Sequence, residues 1–332
     1  MTAHVYEAGR RLAIGAPATS AHWLEDQALF TLGDGVVLVA GLAGPSKRIE
    51  AHNGAILSAA LHPSGKQIVT GGDDGQLNAV APDGKIVALA NLRKWVDHIV
   101  TNAALNLIVA AAGKQAIVFR DNEEAHRFTH ASTIGGLALD PKGRRLAISH
   151  YGGVTLRYVL TADDSGVSLP WSGSHLGVAI SPGADYVVTA MQENALHGWR
   201  LADKLDLRMD GYPAKTRCFS WDRRGRWLAT SGAESAIVWP FVGKSGPQGK
   251  APLQLIPRPE KLVTAVAFHP SEEMLAVGYS DGALWLARFA DQGVIELDEA
   301  GEAPVSALAW DASGARLAVA DEAGRGAIIE TP

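Results

Sequence analysis

Hydrophobic and polar positions alternate in short runs along the whole chain. Residues 262–297 show the pattern: LVTAVAFH, PSEE, MLAVGYS, DG, ALWLARF, ADQ and GVIEL follow one another. Apolar runs of this length, rich in Val, Leu, Ile and aromatics and bounded by Gly, Pro and Asp, predict short strands joined by tight turns. Four such strands, a to d in chain order, fit into about forty residues. Nowhere does the sequence offer a long helical period.

The same unit recurs. AALHPSG (59–65) returns as LALDPKG (137–143), VAISPGA (178–184), SWDRRG (220–225), AFHPSE (267–272) and LAWDASG (308–314). The large residue before each polar turn is Leu61, Leu139, Ile180, Trp221, Phe268 and Trp310. Two fainter copies are anchored at Trp23 and Thr101, and the eight anchors lie 38 to 47 residues apart. A period this regular over residues 1–332 predicts one repeat domain, and four strands per repeat predict an all-β propeller of four-stranded antiparallel blades. Eight blades are expected, or seven if the degraded copy at Thr101 is not a blade. Ala60, Ala138, Ala179, Ser220, Ala267 and Ala309 precede the clear anchors, as expected where strand a is crowded by its neighbours. The last copy lacks a strand d. Residues Val5–Ile14 can supply it, closing the ring and removing an open sheet edge.

Composition narrows the chemistry. A net charge of −5 gives no general reason to expect nucleic acid or an anionic membrane as partner. The single cysteine, Cys218, excludes an intrachain disulfide and a thiolate metal cluster, and its strand context reads as a buried small residue. The N-terminal residues lack a signal-peptide run and no stretch is apolar enough for a membrane helix, so a cytoplasmic protein is expected.

Several residues then resemble the WD-repeat β-propeller family. His52 and His130 each lie nine residues before an anchor, where that family carries a histidine. Thr70 and Asp74 match its strand-b hydroxyl and turn aspartate, and Asp281 in SDG matches the same aspartate. The Trp-Asp signature is worn to Trp199-Arg200, Trp239-Pro240 and Phe119-Arg120-Asp121, and Val80 stands where the second copy would carry tryptophan. The resemblance implies a non-catalytic scaffold that binds partners, with His52, Thr70, Asp74, His130 and Asp281 serving the blades themselves.

The stretch TGGDDG (70–75) could be taken for a phosphate or calcium loop. A strand, not a helix, follows it, no lysine occupies the phosphate slot, and too few oxygen ligands are at hand, so a b–c hairpin turn is expected. The eleven histidines show no metal-ligand spacing, and no nucleophile elbow is present, so no cofactor, metal or catalytic residue is assigned. The alternative is a hydrolase- or lactonase-like propeller enzyme, or a metal-dependent binder, with its site at the channel mouth. In a propeller the d–a and b–c connections share one face. There the sequence places Arg93, Lys94 and Trp95, then Tyr151, Trp171, Tyr212, Lys215 and Arg217, the residue types of interface hot spots. A protein or peptide partner on that face is expected, by a chain that is a monomer or part of a larger complex. The opposite face carries basic turns, Lys142, Arg144 and Arg145, then Arg223, Arg224 and Arg226, with Lys244 and Lys250 in a long c–d connection. Charged turns are normally solvated, and a weak site for an anionic partner is the sharper reading.

Overall fold

A computed structural model describes residues 9–163, 165–243, 245–289, 293–298, 301 and 303–331. Val5–Ala8 of the expected N-terminal strand, Lys244 and the expected turn at 290–292 lie outside the described residues.

Among the described residues the strands form seven sheets. Sheet 1 contains Ala18–Leu24, Gln27–Leu32, Val36–Ala40 and Lys47–Glu50. Sheet 2 contains Ile56–Leu61, Ile68–Gly72, Gln76–Val80 and Ile86–Asn91. Sheet 3 contains Val96–Asn102, Leu107–Ala112, Gln115–Arg120 and Glu123–Thr129. Sheet 4 has six strands, Ile134–Leu139, Arg145–Tyr158, Val167–Ile180, Tyr186–Met191, Leu196–Arg200 and Leu205–Met209. Sheet 5 is Phe219–Trp221, Trp227–Thr230, Ala236–Pro240 and Leu253–Leu255, and sheet 6 is Val263–Phe268, Met274–Tyr279, Leu284–Arg288 and Val294–Asp298. In sheet 7, Val305–Trp310, Arg316–Asp321 and Arg325–Glu330 are joined by Gly9–Ala13.

The expectation of eight four-stranded blades is therefore corrected to seven sheets. The degraded copy at Thr101 is not the cause, because it forms the complete sheet 3. The difference falls where the fourth and fifth copies share sheet 4. Val167–Ile180 runs as one strand from the end of one copy into the start of the next, through a positive-φ kink at Gly173 (116°). Arg145–Tyr158 is also continuous, bending at Gly152 (φ 92°) and Gly153 (φ 136°) so that Val159 N–H reaches Arg144 O at 2.9 Å. A side chain at Gly153 would meet Leu169 O at 2.2 Å, so this close return of the backbone requires glycine.

Inter-residue contacts divide the chain into two compact units. One comprises residues 1–32, 38–48 and 211–332, the other 33–37 and 49–210. Within the second unit, Val69 and Leu77 of sheet 2 pack on Val96, Ile99, Ile108 and Phe119 of sheet 3. Val109, Val118 and Phe128 of sheet 3 pack in turn on Ile134, Leu146 and Ile148 of sheet 4. Within the first unit, Val238 of sheet 5 meets Val266 and Val277 of sheet 6, and Leu284 and Leu286 of sheet 6 meet Leu317 and Ile329 of sheet 7. Each such fully buried aliphatic side chain contributes about 1.5–3 kcal/mol. Strand-b glycines let neighbouring sheets close: a Cβ on Gly71 would meet Val96 Cγ1 at 2.5 Å, and one on Gly278 would meet Val305 at 2.6 Å.

The small residues before the anchors do more than leave space. Trp23 Nε1 donates to Ala309 O (2.9 Å) and Trp310 Nε1 to Ala267 O (3.0 Å). Thr101 Oγ1 likewise donates to Leu61 O at 2.8 Å, which explains a hydroxyl at a degraded anchor. Gly9–Ala13 pairs antiparallel with Arg325–Glu330, from Gly9↔Ile329 to Ala13↔Arg325, so the edge is covered as expected.

Candidate interaction site

The turn at 70–75 fixes the geometry of the second unit's surface. His52 is buried; its Nδ1 donates to Asp74 Oδ1 at 3.0 Å, and its Nε2 lies 2.8 Å from Thr70 Oγ1. Asp74 also accepts the backbone N–H groups of Asn53 and Gln76, both at 3.0 Å. Burial alone would raise the Asp74 carboxyl, but the hydrogen bonds from Gln76, His52 and Asn53 outweigh it and hold it below the usual range. The tryptophan of the family set is missing here. Asn78, two residues before Val80, instead donates through Nδ2 to Ala51 O at 2.8 Å.

This turn seats the connection that follows strand d. Leu92 N–H donates to Gly75 O (2.8 Å), and Gly75, at φ 80°, would strain any side chain, whose Cβ would also press on Arg93 N and Lys94 N at 3.1 Å. Arg93 adopts φ 57°, with its N–H donating to Asn91 Oδ1 at 3.0 Å. The fixed connection presents Arg93, Lys94 and Trp95 to solvent, with Trp95 64% exposed. Tyr151 is 69% exposed at the bend of Arg145–Tyr158, where Ser132 Oγ accepts its N–H at 3.2 Å. A cleft of about 390 Å³ runs between Tyr151, Gly152, Pro170, Trp171 and Ser172.

Trp171 is only half exposed, because it stacks on His197 with ring centroids 3.9 Å apart and planes at 17°. His197 is 1% exposed, with Trp199 edge-on at 4.6 Å on another side. Burial pushes the His197 imidazole down to about 4. His175 Nδ1 lies 2.7 Å from Thr189 Oγ1, and its Nε2 donates to Trp171 O at 3.1 Å. His175 thus fills in the fifth copy the part that His52 plays in the second. Sequence reasoning missed it; the recurring strand-b hydroxyls Thr31, Thr70, Ser149, Thr189 and Thr230, all fully buried, were the available signal. His130 packs its ring 5.5 Å from that of His150.

The other expected contact residues lie in the first unit. Tyr212 is 7% exposed and inside sheet 5's own network: its hydroxyl lies 2.7 Å from Thr230 Oγ1 and accepts Trp239 Nε1–H at 2.7 Å. Burial, against the pull of those two hydrogen bonds, pushes its phenol up to about 12. Tyr212 is a structural stand-in for the family histidine and offers no surface. Lys215 and Arg217 line a cleft of about 960 Å³ whose walls include Ser231, Thr264 and Ser306. Those hydroxyls serve the frame: Ser231 Oγ accepts the N–H groups of Arg217 and Cys218, and Thr264 Oγ1 donates to Val305 O. Cys218 is half-buried, with Sγ 3.4 Å from Val266 O. Asp281 meets Arg258 Nη1 at 2.9 Å rather than a histidine, and that guanidinium lies over the Tyr279 ring at 4.9 Å.

Some arginines at the a–b turns are paired within their own turn. Arg145 meets Asp140 (3.2 Å) and Arg316 meets Asp311 (2.8 Å), each aspartate also capping its own turn through backbone N–H groups.

Comparison with known proteins identifies two segments. Residues 44–78 match the WD domain, G-beta repeat, family, and residues 266–331 match the family described as the anaphase-promoting complex subunit 4 WD40 domain. No curated protein matches the chain. Among solved structures, the crystal structure of the computationally designed Ika8 protein is similar, with TM-score 0.79, 14% identity, and coverage of 95% of this chain and 96% of that one. That likeness concerns the fold alone, and a fold shared with 1862 solved chains assigns no activity by itself. The forty-residue repeat, the four-stranded sheets, the His52–Thr70–Asp74 set and the two matched segments agree in their likeness to WD-repeat β-propellers.

Proposed function

We propose that the protein is an interaction scaffold without chemistry of its own, acting as one domain over residues 1–332. Its partner is a protein or peptide held on the connections of the second unit. The observation that carries this reading is the exposure of Trp95 (64%) and Tyr151 (69%) on connections pinned to rigid strands. Large aromatics left in water beside Arg93 and Lys94 are the residue types that dominate binding energy at interfaces. Held by backbone hydrogen bonds, they lose little further freedom on association, which favours affinity.

The test is affinity capture with crosslinking mass spectrometry, comparing the wild type with Trp95→Ala/Tyr151→Ala. The variant is expected to unfold at the same temperature and to lose the wild-type crosslinks at these connections. An unchanged partner set with unchanged crosslinks would place the interface elsewhere. Stoichiometric metal in the purified protein, or turnover in a hydrolase panel, would overturn the scaffold reading.

A further inference from the structure

A second recessed site lies in the first unit, at the a–b turns of sheets 5 and 6. It is a pocket of about 370 Å³, at the small end of the range of ligand-binding clefts. Its floor is aromatic: Phe289 sits 6.0 Å from Trp227 and 5.6 Å from Phe268 between ring centroids. The two turns that form its walls are tied together by Arg226, which reaches from its own turn to both Asp222 (3.5 Å) and Glu273 of the other. Phe289 N–H donates to Glu273 O at 2.9 Å, so the floor and the second wall move as one piece.

The charges around this pocket are unevenly used. Asp222 and Glu273 are both engaged by Arg226, and Asp222 also accepts the backbone N–H groups of Arg226 and Trp227. Arg223 and Arg224 are exposed on one rim and neither is within ion-pair distance of a carboxylate among the described residues, though the charge of Arg224 helps Arg226 hold the Glu273 carboxyl below its usual range. Glu272 is the remaining carboxylate on the opposite rim. One wall is therefore cationic, the floor is apolar, and the far wall repels a second negative charge.

We propose that this pocket binds a peptide segment carrying an aromatic side chain next to a single acidic residue. The aromatic ring fills the space over Phe289 and Trp227, gaining edge or offset contacts with them. The neighbouring carboxylate faces Arg223 and Arg224, where guanidinium groups accept a carboxylate through two parallel hydrogen bonds. Glu272, the carboxylate left without an arginine, stands against a polyphosphate or a nucleic-acid backbone, whose successive charges would meet it. The pocket shares no residue with the connections that carry Trp95 and Tyr151.

The test uses the full chain labelled with 5-fluorotryptophan, with the Trp227 fluorine resonance assigned through Trp227→Phe. Acetyl-Asp-Phe-amide is titrated to about 10 mM, the range in which a dipeptide-sized ligand registers. It is expected to shift the Trp227 resonance saturably, and acetyl-Lys-Phe-amide to bind at least about tenfold more weakly. Arg223→Glu/Arg224→Glu, two exposed changes that leave the floor intact, is expected to reverse that preference. A Trp227 resonance unmoved by the acidic dipeptide, or equal binding of the acidic and basic dipeptides, would overturn the proposal. Tighter binding of adenosine monophosphate than of the acidic dipeptide would replace the peptide with a nucleotide and overturn it as well.

Discussion

Sheets 2 and 5 bury the same side chain and satisfy it by different means. In each, a fully buried strand-b threonine, Thr70 or Thr230, donates to a strand-c carbonyl and meets a polar group from the preceding connection. In sheet 2 that group is the His52 imidazole, itself held by the Asp74 carboxylate. In sheet 5 it is the Tyr212 hydroxyl, held by the Trp239 indole. What recurs is a demand: a buried hydroxyl needs a partner, and the partner needs an orienting group. An ionisable set and a neutral one meet it, so the two sheets should differ in their response to acid and to mutation.

The largest effect is expected from Tyr212→Phe. It keeps the ring but leaves Trp239 Nε1 without its acceptor inside sheet 5, at a cost of about 2–3 kcal/mol. Urea unfolding measures this, and a loss below about 0.5 kcal/mol would mean that water replaces the hydroxyl. Gly75→Ala comes next, at about 1–2 kcal/mol, because alanine is strained at φ 80° and its Cβ presses on Arg93 N and Lys94 N. The same change should displace Trp95, read as a shift in its fluorescence maximum. Asp74→Asn, which keeps one acceptor oxygen but loses the charge, should cost about 1 kcal/mol at neutral pH.

Acid titration separates the two sheets further. His197 and His22 have folded values of about 4, below the ordinary 6.5, so the unfolded chain takes up their protons first. Stability therefore falls as pH drops from about 6.5 towards 4. Asp74 acts in a lower window with the same sign: its contribution is complete above its unfolded value and is lost as pH falls through its depressed folded value. Asp74→Asn should flatten only that lower limb. Tyr212→Phe should leave both limbs unchanged in shape. A variant curve parallel to the wild type throughout, for Asp74→Asn, would remove the charge from the account of sheet 2.

The sequence made the repeat readable because each copy reuses one turn and one small residue beside its anchor. His52, Thr70 and Asp74 were readable for the same reason, since their spacing within a copy fixes their meeting. Tyr212 was not. An aromatic residue before strand a looks the same whether it faces water or folds in, and its burial depends on Thr230 and Trp239, brought to it by strand pairing. Trp171 raised the same ambiguity, settled by the stack on His197. The sharing of sheet 4 by two copies was also hidden. Tyr151-Gly152-Gly153 resembles any other b–c turn, and only the hydrogen bonding reveals strands continuous through the places where turns were expected.

Sheet 7 carries a consequence for how the chain matures. Gly9–Ala13 lies more than 300 residues from the strand it pairs with, Arg325–Glu330. During synthesis from the ribosome Arg325–Glu330 emerges about 300 residues after Gly9–Ala13, so a nascent chain must carry the earlier segment unpaired until then. Sheets 2, 3 and 6, by contrast, are each complete within roughly forty residues of chain. Assembly should thus have two tempos, rapid local hairpins followed by one slow long-range closure. A protein whose sheet 7 is still open would expose an extended edge, the form most prone to pair with a neighbour's.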